Sequence, residues 1–332
     1  MGVETIRGNR NDIEQNGESE SVKTDVENRL IWLDGKIVNI KDATVNILSP
    51  TAQFGLNVFE GIRCYWNEEK KQLFAFRLDD HHKRLQRSIK LLQLDSPYSL
   101  SDLKNAFIDV VKANDYREDI AVRQTVFVDG FGSWGSEGPV NMFLSPIPKA
   151  KYSAEYNKKS LRCCISSWRR ISDSVLSPRI KCGANYINSR MAQREALRNG
   201  YDTTIFLNDA GKVAEGPGSC LFIVKNGTLI TPLLTDSVLE SITRDTIIKI
   251  ARDMGIETIE RSIDRTELYT ADEAFLCGSA MEITPVCSVD KYTIMESCGN
   301  KITDLIYKQY MGIVLGRDKK YESWLTEIYE SE

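Results

Sequence analysis

The sequence predicts two α+β domains, and three observations support this fold class. At 332 residues the chain is longer than a single domain usually is. Apolar runs flank tight-turn dipeptides such as Asp34-Gly35 and Asn226-Gly227, which is typical of antiparallel hairpins. The helical patterns are segregated from these hairpins, and the G-x-G-x-x-G at 130–135 is followed by a predicted strand, not by the helix that a dinucleotide-binding turn requires. A parallel Rossmann sheet and a nicotinamide dehydrogenase are therefore disfavoured.

The domain division follows from the composition along the chain. Residues 1–28 are polar with few apolar groups, which predicts a loose N-terminal extension. We expect a smaller α+β domain over 29–147 and a larger α+β domain over 159–332. The stretch 148–158 contains Pro, Lys and Tyr and is predicted to connect them.

The elements of the smaller domain begin with a hairpin over 30–38, because apolar runs surround Asp34-Gly35. Apolar residues at helical spacing predict helices over 80–92 and 101–114. Apolar runs rich in β-branched and aromatic residues predict strands over 73–76, 120–128 and 140–144.

The larger domain is predicted to combine hairpins and helices. The hairpins pair 204–208 with 212–214 and 221–224 with 228–230. Periodic apolar residues predict helices over 185–199, 243–254 and 302–315. The remaining strands are predicted over 161–165, 256–261, 274–277 and 282–286.

Composition and charge exclude several classes of partner. The 43 basic and 47 acidic residues leave a net charge of -4, so we expect neither a nucleic acid nor a membrane as partner. The eight cysteines lack the spacing of a zinc site or of a disulfide framework, and we expect no metal. The sequence shows no secretory signal and no apolar run of about 18 residues, which favours the cytoplasm.

Lys181 is the first candidate for chemistry. Most lysines are solvated surface groups, but Lys181 lies between a predicted strand and a predicted helix. The small residues of Cys182-Gly183-Ala184 would let a planar ligand approach the backbone. A desolvated lysine amine can form a Schiff base with an aldehyde cofactor, and Tyr186 supplies a phenol nearby. This segment is typical of a pyridoxal phosphate site.

Glu215 is the second candidate, because it precedes the turn Gly216-Pro-Gly218. Alone it would be an ordinary solvated acid. Facing a pyridine nitrogen, a carboxylate would keep that nitrogen protonated and let the ring accept electrons.

A phosphate group needs free amides and a cation. Ser241 is a predicted helix cap, so the amides that follow it would point at an anion. Arg84 and Arg87 share one face of a predicted helix, and spacing alone does not choose between them. The turn Gly278-Ser279-Ala280 offers further free amides. His81 and His82 are expected at the surface, since adjacent helical positions point in different directions.

Six motifs, taken in order, resemble the fold-type IV pyridoxal phosphate enzymes, and most closely the branched-chain amino acid aminotransferases. The match runs from about residue 30 to residue 289. The motifs are Asn57-Val-Phe-Glu-Gly-Ile-Arg63, His82-Lys-Arg-Leu85, Lys181-x-x-x-Asn-Tyr186, Glu215-Gly216, Ile242-Thr-Arg-Asp245 and Gly278-Ser-Ala-Met-Glu-Ile-Thr-Pro285.

The resemblance implies a D-amino acid aminotransferase-like fold, with pyridoxal 5'-phosphate between the domains and the larger domain binding it. It implies a homodimer in which the loop 129–138 approaches the partner subunit's pocket. A plain connector is the alternative reading of that loop. Lys181 matches the Schiff-base lysine and proton carrier, Tyr186 the phenol beside the cofactor's 3'-oxygen, and Glu215 the partner of the pyridine nitrogen.

The resemblance also assigns the phosphate and the substrate. Arg84, not Arg87, matches the phosphate-binding arginine, and the residues implied to join it are Ile242, Thr243 and Ser279. The residues implied to bind the substrate are Phe59, Arg123, Ser279 and Ala280. Arg123 matches the position that holds the distal carboxylate of glutamate.

The departures from the family cluster at substrate positions. Phe54 and Ala121 stand where the family has two pocket tyrosines, and Lys149 aligns with a tryptophan. Glu240-Ser241 replaces a Pro-Gly pair beside the phosphate, and Cys220 replaces a common asparagine. We therefore expect retained cofactor chemistry and a substrate larger or more polar than leucine, isoleucine or valine.

The predicted function is pyridoxal phosphate-dependent transfer of an amino group between an amino acid and a 2-oxo acid. Two other readings stay open. One is a different fold-type IV reaction, such as D-amino acid transamination or aminodeoxychorismate lyase-type chemistry. The other is a protein that binds pyridoxal phosphate without turnover.

Overall fold

Two β-sheets with helices packed on them form the framework of the protein. The computed structural model describes residues 27–151, 160–294 and 301–330. The predicted extension over 1–28 and the predicted connector over 148–158 lie mostly outside these ranges. Their predicted roles and the exact domain boundaries stay predictions.

The first sheet has seven strands, and all its pairings are antiparallel. In the order in which they lie side by side, its strands are β15 (Leu325–Glu327), β4 (Gln72–Phe76), β3 (Asn57–Asn67), β5 (Ile120–Val128), β6 (Val140–Pro148), β1 (Leu30–Leu33) and β2 (Lys36–Asn39). The predicted hairpin is present, since Leu33 pairs with Lys36 across Asp34-Gly35. Both turn residues have positive φ, as a tight hairpin requires.

Three helices accompany this sheet, namely α1 (Pro50–Phe54), α2 (Leu78–Leu91) and α3 (Leu100–Asn114). The apolar faces of α2 and α3 are buried against the sheet, with Leu85, Leu103 and Phe107 fully covered. Each such side chain contributes about 1.5–3 kcal/mol through burial of its apolar surface. Ser99 begins α3 with a capping box to Asp102.

The second sheet is mixed, with three parallel pairings among its otherwise antiparallel strands. Side by side, its strands are β11 (Thr258–Glu260), β10 (Thr228–Thr231), β9 (Cys220–Lys225), β12 (Glu273–Gly278), β13 (Glu282–Val289), β7 (Leu161–Arg169) and β8 (Thr203–Leu207), and β14 (Tyr292–Thr293) pairs with β13. Its helices are α4 (Asn185–Arg198), α5 (Ile242–Asp253), α6 (Arg265–Tyr269) and α7 (Lys301–Val314). The α+β fold class is confirmed.

The long helices agree with the prediction to within two residues at each end, whereas several other elements were not predicted. The longest strand, β3, was not predicted as a strand, although its first seven residues were quoted as a motif. The predicted strand over 212–214 is reduced to a bridge between Leu207 and Val213, although the backbone hydrogen bonds of a hairpin are present there. Within the described ranges, no helix is long and apolar enough to cross a lipid bilayer.

One contact between the two parts of the chain positions the site. The segment that carries Lys181 runs beside the start of β3, where Phe59 N donates to Lys181 O at 2.9 Å. A bridge between Val58 and Cys182 and a hydrogen bond from Gly183 N to Asn57 O extend this contact. The candidate lysine is therefore fixed against the first sheet although it immediately precedes α4.

Candidate active site

Most of the predicted site residues line one cavity of about 440 Å³. Those that line it are Phe59, Arg84, Arg123, Lys181, Tyr186, Glu215, Ser279 and Ala280. Ile242 and Thr243 do not line the cavity, but they directly follow Ser241, which lines it. The structure thus brings residues from both sheets, more than 200 positions apart in sequence, to one place.

Lys181 and Tyr186 face each other in this cavity. Lys181 Nζ donates to Tyr186 Oη at 2.9 Å and lies 4.9 Å from the centroid of the Phe59 ring. The Lys181 backbone is held by its N–H, which donates to Ser88 Oγ at 3.2 Å. The amine therefore has a polar partner on one side and an aromatic ring on the other.

Gly183 lies in close contact with Asn57. A Cβ at this position would lie 2.7 Å from Asn57 Oδ1 and 3.1 Å from Asn57 Nδ2. The absence of a side chain therefore admits Asn57, which also donates to Thr51 Oγ1. The expectation that the small residues 182–184 let a ligand approach the backbone stays a prediction.

Glu215 also lines the cavity and is 4% exposed. Its carboxylate accepts from Arg170 Nε at 2.9 Å and from Leu239 N at 3.2 Å. Cys220 Sγ is 3.8 Å from the same carboxylate, and burial, reinforced by that charge, raises the pKa of this thiol to about 12. Arg170 was not predicted from the sequence. The arrangement is a buried carboxylate whose orientation is fixed by an ion pair.

Arg84 lines the cavity, whereas Arg87 does not. Arg84 Nε and Nη2 each donate to Glu60 at 2.7 Å, and Nη1 donates to Glu240 O at 2.8 Å. Glu60 is fully buried. Burial alone would raise the pKa of Glu60, but Arg84 and His81 hold that pKa far below its usual range. The guanidinium group of Arg84 is therefore fixed in place by the ionised carboxylate of Glu60.

The expectation that the two histidines lie at the surface was wrong. His81 is 2% exposed and His82 is 1% exposed. His81 Nδ1 lies 2.7 Å from Glu60 Oε2, and His82 Nε2 lies 2.9 Å from Gln124 Oε1. Both imidazoles are accommodated because strands β3 and β5 place polar partners beneath α2.

The start of α5 offers donors suited to a phosphate. Ser241 Oγ accepts from Arg244 N and so caps the helix, while the first N–H groups of a helix have no acceptor within it. Ser219 Oγ is buried in the cavity wall without a hydrogen-bond partner in the described chain. In the turn after β12, the described backbone provides no acceptor for the amides of Ser279 and Ala280. These unsatisfied donors, with Arg84, fit an anionic ligand such as a phosphorylated cofactor.

The carboxylate of Glu240 points away from these donors. It forms an ion pair with Arg179 and lies 3.4 Å from Arg87 Nη2. Only its backbone oxygen contacts Arg84. The acid that replaces the family's Pro-Gly pair is therefore neutralised by two arginines outside the cavity wall, and it does not oppose an anion at the start of α5.

The other end of the cavity is formed by one face of the first sheet. Arg123 Cζ lies 4.0 Å from the centroid of the Phe59 ring. Arg63 is buried and paired with Glu282 at 3.2 Å. Ala121 and Lys149 line this end, whereas Phe54 does not and is 44% exposed. Of the two positions that replace family tyrosines, only Ala121 belongs to the cavity.

Glu60, Arg63, Arg170 and Ser219 are site residues that sequence reasoning missed. Glu60 and Arg63 stood within a quoted motif, where charges in a run of otherwise apolar residues are the available signal of buried pairing. No comparable signal marks Arg170, because its partner Glu215 is 45 residues away.

Known proteins share sequence and fold with this chain. The profile of the amino-transferase class IV family matches residues 57–289. The probable branched-chain-amino-acid aminotransferase of Aquifex aeolicus is 36% identical over 311 residues, which cover 90% of this chain and 96% of the relative. The solved structure of branched-chain aminotransferase from Thermoproteus uzoniensis with norvaline superposes on this chain with a TM-score of 0.86 and 43% sequence identity. The match covers 91% of this chain and 99% of that one. The PLP form of the Thermobaculum terrenum enzyme is 42% identical with a TM-score of 0.87, over 92% of this chain and 100% of that one.

Proposed function

The chain belongs to the amino-transferase class IV family, and we propose how the residues of its cavity perform the reaction of that family. It is a pyridoxal 5'-phosphate-dependent aminotransferase that moves an amino group between an amino acid and a 2-oxo acid. The observation that carries the residue assignment is the 2.9 Å contact between Lys181 Nζ and Tyr186 Oη, in a cavity that also contains the buried carboxylate of Glu215.

We propose that Lys181 holds the cofactor and carries the proton. When bound, the cofactor withdraws electrons from the substrate α-carbon, which makes the proton on that carbon acidic. Lys181 Nζ removes this proton and returns one to complete the transfer, while the hydrogen bond to Tyr186 Oη orients the amine. Glu215, fixed by its ion pair with Arg170, would hold the pyridine nitrogen and keep it protonated.

We propose that the phosphate is bound at the start of α5. The amides of Ile242 and Thr243 lie at the positive end of the helix dipole, which stabilises an anion. Arg84 supplies the guanidinium and Ser279 a further donor. This arrangement anchors the cofactor between the two sheets.

We propose that the substrate occupies the end of the cavity near the first sheet. The free amides of Ser279 and Ala280 receive its α-carboxylate, and Phe59 and Arg123 contact its side chain. Because Ala121 and Lys149 replace aromatic residues there, the physiological substrate is larger or more polar than leucine, isoleucine or valine.

Replacement of Lys181 tests the assignment. Borohydride reduction of the cofactor-loaded protein should leave a pyridoxyl group on the peptide that contains Lys181. Lys181→Ala should bind the cofactor without this adduct and lose transamination by about 10²- to 10⁴-fold or more. Lys90→Ala, at an exposed position of α2, is the control and should behave as wild type. An adduct on another lysine would contradict the proposal.

We further propose that the protein is a cytoplasmic homodimer whose smaller unit spans 29–147 and whose larger, cofactor-binding unit spans 159–332. Large apolar side chains on and near α1 and in the loop 129–138 are exposed to solvent, as expected of a surface that a second subunit covers. They are Ile47, Leu48, Phe54, Phe131 and Trp134. The described cysteines are free thiols, which agrees with a reducing compartment.

A further inference from the structure

We propose that Glu282 is a positioning residue for the turn 279–281. Its buried carboxylate ties this turn to Arg63 on the first sheet, and so holds the amides of the turn ready for the substrate α-carboxylate. The inference rests on the proposed function, in which Ser279 and Ala280 receive that carboxylate. Glu282 does not line the cavity, so it would act on substrate binding through the turn and without contact with the substrate.

The turn is a short connection between two paired strands. Gly278 at the end of β12 pairs with Glu282 at the start of β13, so only 279–281 lie between them. Met281 N donates to Gly278 O at 3.2 Å. The described backbone provides no acceptor for the amides of Ser279 and Ala280, which line the cavity. How well these amides bind a ligand therefore depends on how firmly the turn is held.

Contacts within the second half of the chain hold one side of the turn. Thr284 Oγ1 donates to Met281 O at 2.8 Å. A Cβ at Gly278 would lie 3.2 Å from Gly218 O, so the backbone here packs closely against the turn that follows Glu215. These contacts do not fix the position of the turn relative to the first sheet, on the other side of the cavity.

The backbone of Glu282 has a conformation that disfavours a glutamate. Its φ is 52°, in the left-handed region that glycine and asparagine adopt most readily. The residue is also 0% exposed, and burial of a charged side chain costs free energy unless the charge is paired. A glycine at this position would avoid both costs. We therefore infer that the carboxylate has a role of its own.

The partner of this carboxylate comes from the other sheet. Arg63 Nη2 on β3 donates to Glu282 Oε1 at 3.2 Å and to Ala150 O, just beyond β6, at 3.2 Å. Arg63 Cζ lies 5.2 Å from the centroid of the Tyr65 ring. Arg63 is 3% exposed, so salt screens this ion pair little. A carboxylate at the end of the turn is thus held by a guanidinium that the first sheet fixes.

The ion pair between Glu282 and Arg63 would preorganise the turn for its ligand. Donors that are already ordered bind a carboxylate more tightly, because the ligand does not have to order them. Without the pair, the turn would be held from one side only. We expect this loss to weaken binding of the α-carboxylate by about tenfold, and to leave contacts with the substrate side chain unchanged.

The test compares ligands that differ in the α-carboxylate. In the pyridoxamine phosphate form of the full chain, the cofactor absorbance is followed with 4-methyl-2-oxopentanoate and with 3-methylbutanal, the aldehyde that lacks only the carboxylate. 2-Oxoglutarate and 4-oxobutanoate form a second such pair. None of these compounds has a stereocentre, so the result does not depend on enantiomer preference. In parallel, 4-methylpentanoate and 4-methylpentanamide are titrated into the pyridoxal phosphate form to measure binding without reaction.

Two variants remove the ion pair in different ways. Glu282→Gln should lower kcat/KM for the 2-oxo acids and the affinity for 4-methylpentanoate by about tenfold, and should change the aldehydes and the amide by less than about threefold. Arg63→Met combined with Glu282→Gln leaves no buried charge unpaired, so its fold is spared that cost. This double variant should show the same loss, since the turn is untethered in both. Each ratio of acid to aldehyde cancels the effect of Arg63→Met on side-chain contacts.

Glu273→Gln is the matched control. Glu273 is a buried glutamate at the other end of β12, where it accepts from Thr303 N at 2.9 Å and from Thr303 Oγ1 at 2.6 Å. The change weakens a buried contact of the same hairpin without touching the turn. Glu273→Gln should therefore be less stable than the wild type but keep the wild-type ratio of 2-oxo acid to aldehyde.

A purely structural role of Glu282 predicts different results. Equal losses for a 2-oxo acid and its aldehyde in Glu282→Gln, or the same change of their ratio in Glu273→Gln, would overturn the inference while transamination stands. So would a wild-type ratio in the double variant, since Glu282 would then only neutralise Arg63. If Glu282→Gln does not fold, the double variant decides.

The binding arm separates this inference from the proposed function. If no 2-oxo acid changes the cofactor spectrum, the proposed function fails, and the titration with 4-methylpentanoate still decides the role of Glu282. A wild-type protein that binds 4-methylpentanoate no better than 4-methylpentanamide would also overturn the inference, because the turn would then hold no carboxylate.

Discussion

Buried charges in this protein depend on partners that are distant in sequence. Glu60 pairs with Arg84, 24 residues later, and Arg63 pairs with Glu282, 219 residues later. Removing one member of such a pair would leave an uncompensated buried charge, which is strongly destabilising. Both members of each pair are therefore needed for the fold as well as for the site.

His82 should make stability depend on pH. Burial lowers the pKa of His82 to about 4, from an ordinary value of 6.5, and protonation would place a hydrogen on Nδ1, which has no partner in the described chain. Above pH 6.5 the imidazole is neutral in the folded and unfolded states alike. As the pH falls from 6.5 towards 4, the unfolded state binds more protons, so the free energy of unfolding decreases.

The measurement is urea unfolding of the cofactor-loaded protein at pH 7, 6 and 5. His82→Gln keeps a polar group near Gln124 but cannot take up the proton, so its stability should fall less steeply over this range than that of the wild type. If the free energy of unfolding falls equally with pH in both proteins, His82 does not contribute to the pH dependence of stability. The comparison of slopes removes the effect of the carboxylates, which titrate in both proteins.

At the scale of elements, the cap of α5 should serve both stability and cofactor binding. Ser241 Oγ accepts from Arg244 N, and Ser99 Oγ caps α3 in the same way through Asp102 N. Ser241→Ala and Ser99→Ala should each lower the free energy of unfolding by about 1 kcal/mol. Only Ser241→Ala should also weaken cofactor binding, because the end of α3 lies outside the cavity.

Thermal unfolding of the cofactor-free proteins and equilibrium titration with pyridoxal 5'-phosphate measure the two effects separately. Ser99→Ala is the matched control. If the two variants lose cofactor affinity equally, the start of α5 has no special part in phosphate binding.

The helices and most hairpins could be predicted because their signals are local. Apolar spacing within α2 and α3, and the turn dipeptides Asp34-Gly35 and Asn226-Gly227, specify structure over a few residues. Strand β3 was missed because its charged residues obscure the apolar run and are buried only through distant partners. Local patterns do not contain that information.

The site residues also divide into those that the sequence predicts and those that depend on contacts between distant segments. Lys181, Tyr186 and Glu215 were proposed from residue type and position, and the structure brings them to one cavity. The choice of Arg84 over Arg87 needed the resemblance, since both lie on one helical face. Arg170 and the register around Ala121 could not be predicted, because both depend on how separate strands meet.

At the scale of the whole molecule, the exposed loop residue Trp134 should lie between two subunits. It is 77% exposed, and Phe131 beside it is 75% exposed. Trp134→Ser should weaken self-association, since apolar burial is lost from the shared surface. Sedimentation velocity over a range of concentrations measures this. Leu305→Ser, at a half-exposed position of α7, should leave association unchanged. A wild-type protein that sediments as a monomer throughout would contradict the dimer.

Strand β15 has a consequence for synthesis. Leu325 pairs with Phe76. One edge of β4 in the first sheet therefore stays unpaired until a segment roughly 250 residues later has been translated. Until then an emerging chain presents the open backbone of β4 to its surroundings, and unpaired strand edges invite association with other chains. Chaperone dependence during translation should therefore be greatest before residues 325–327 leave the ribosome.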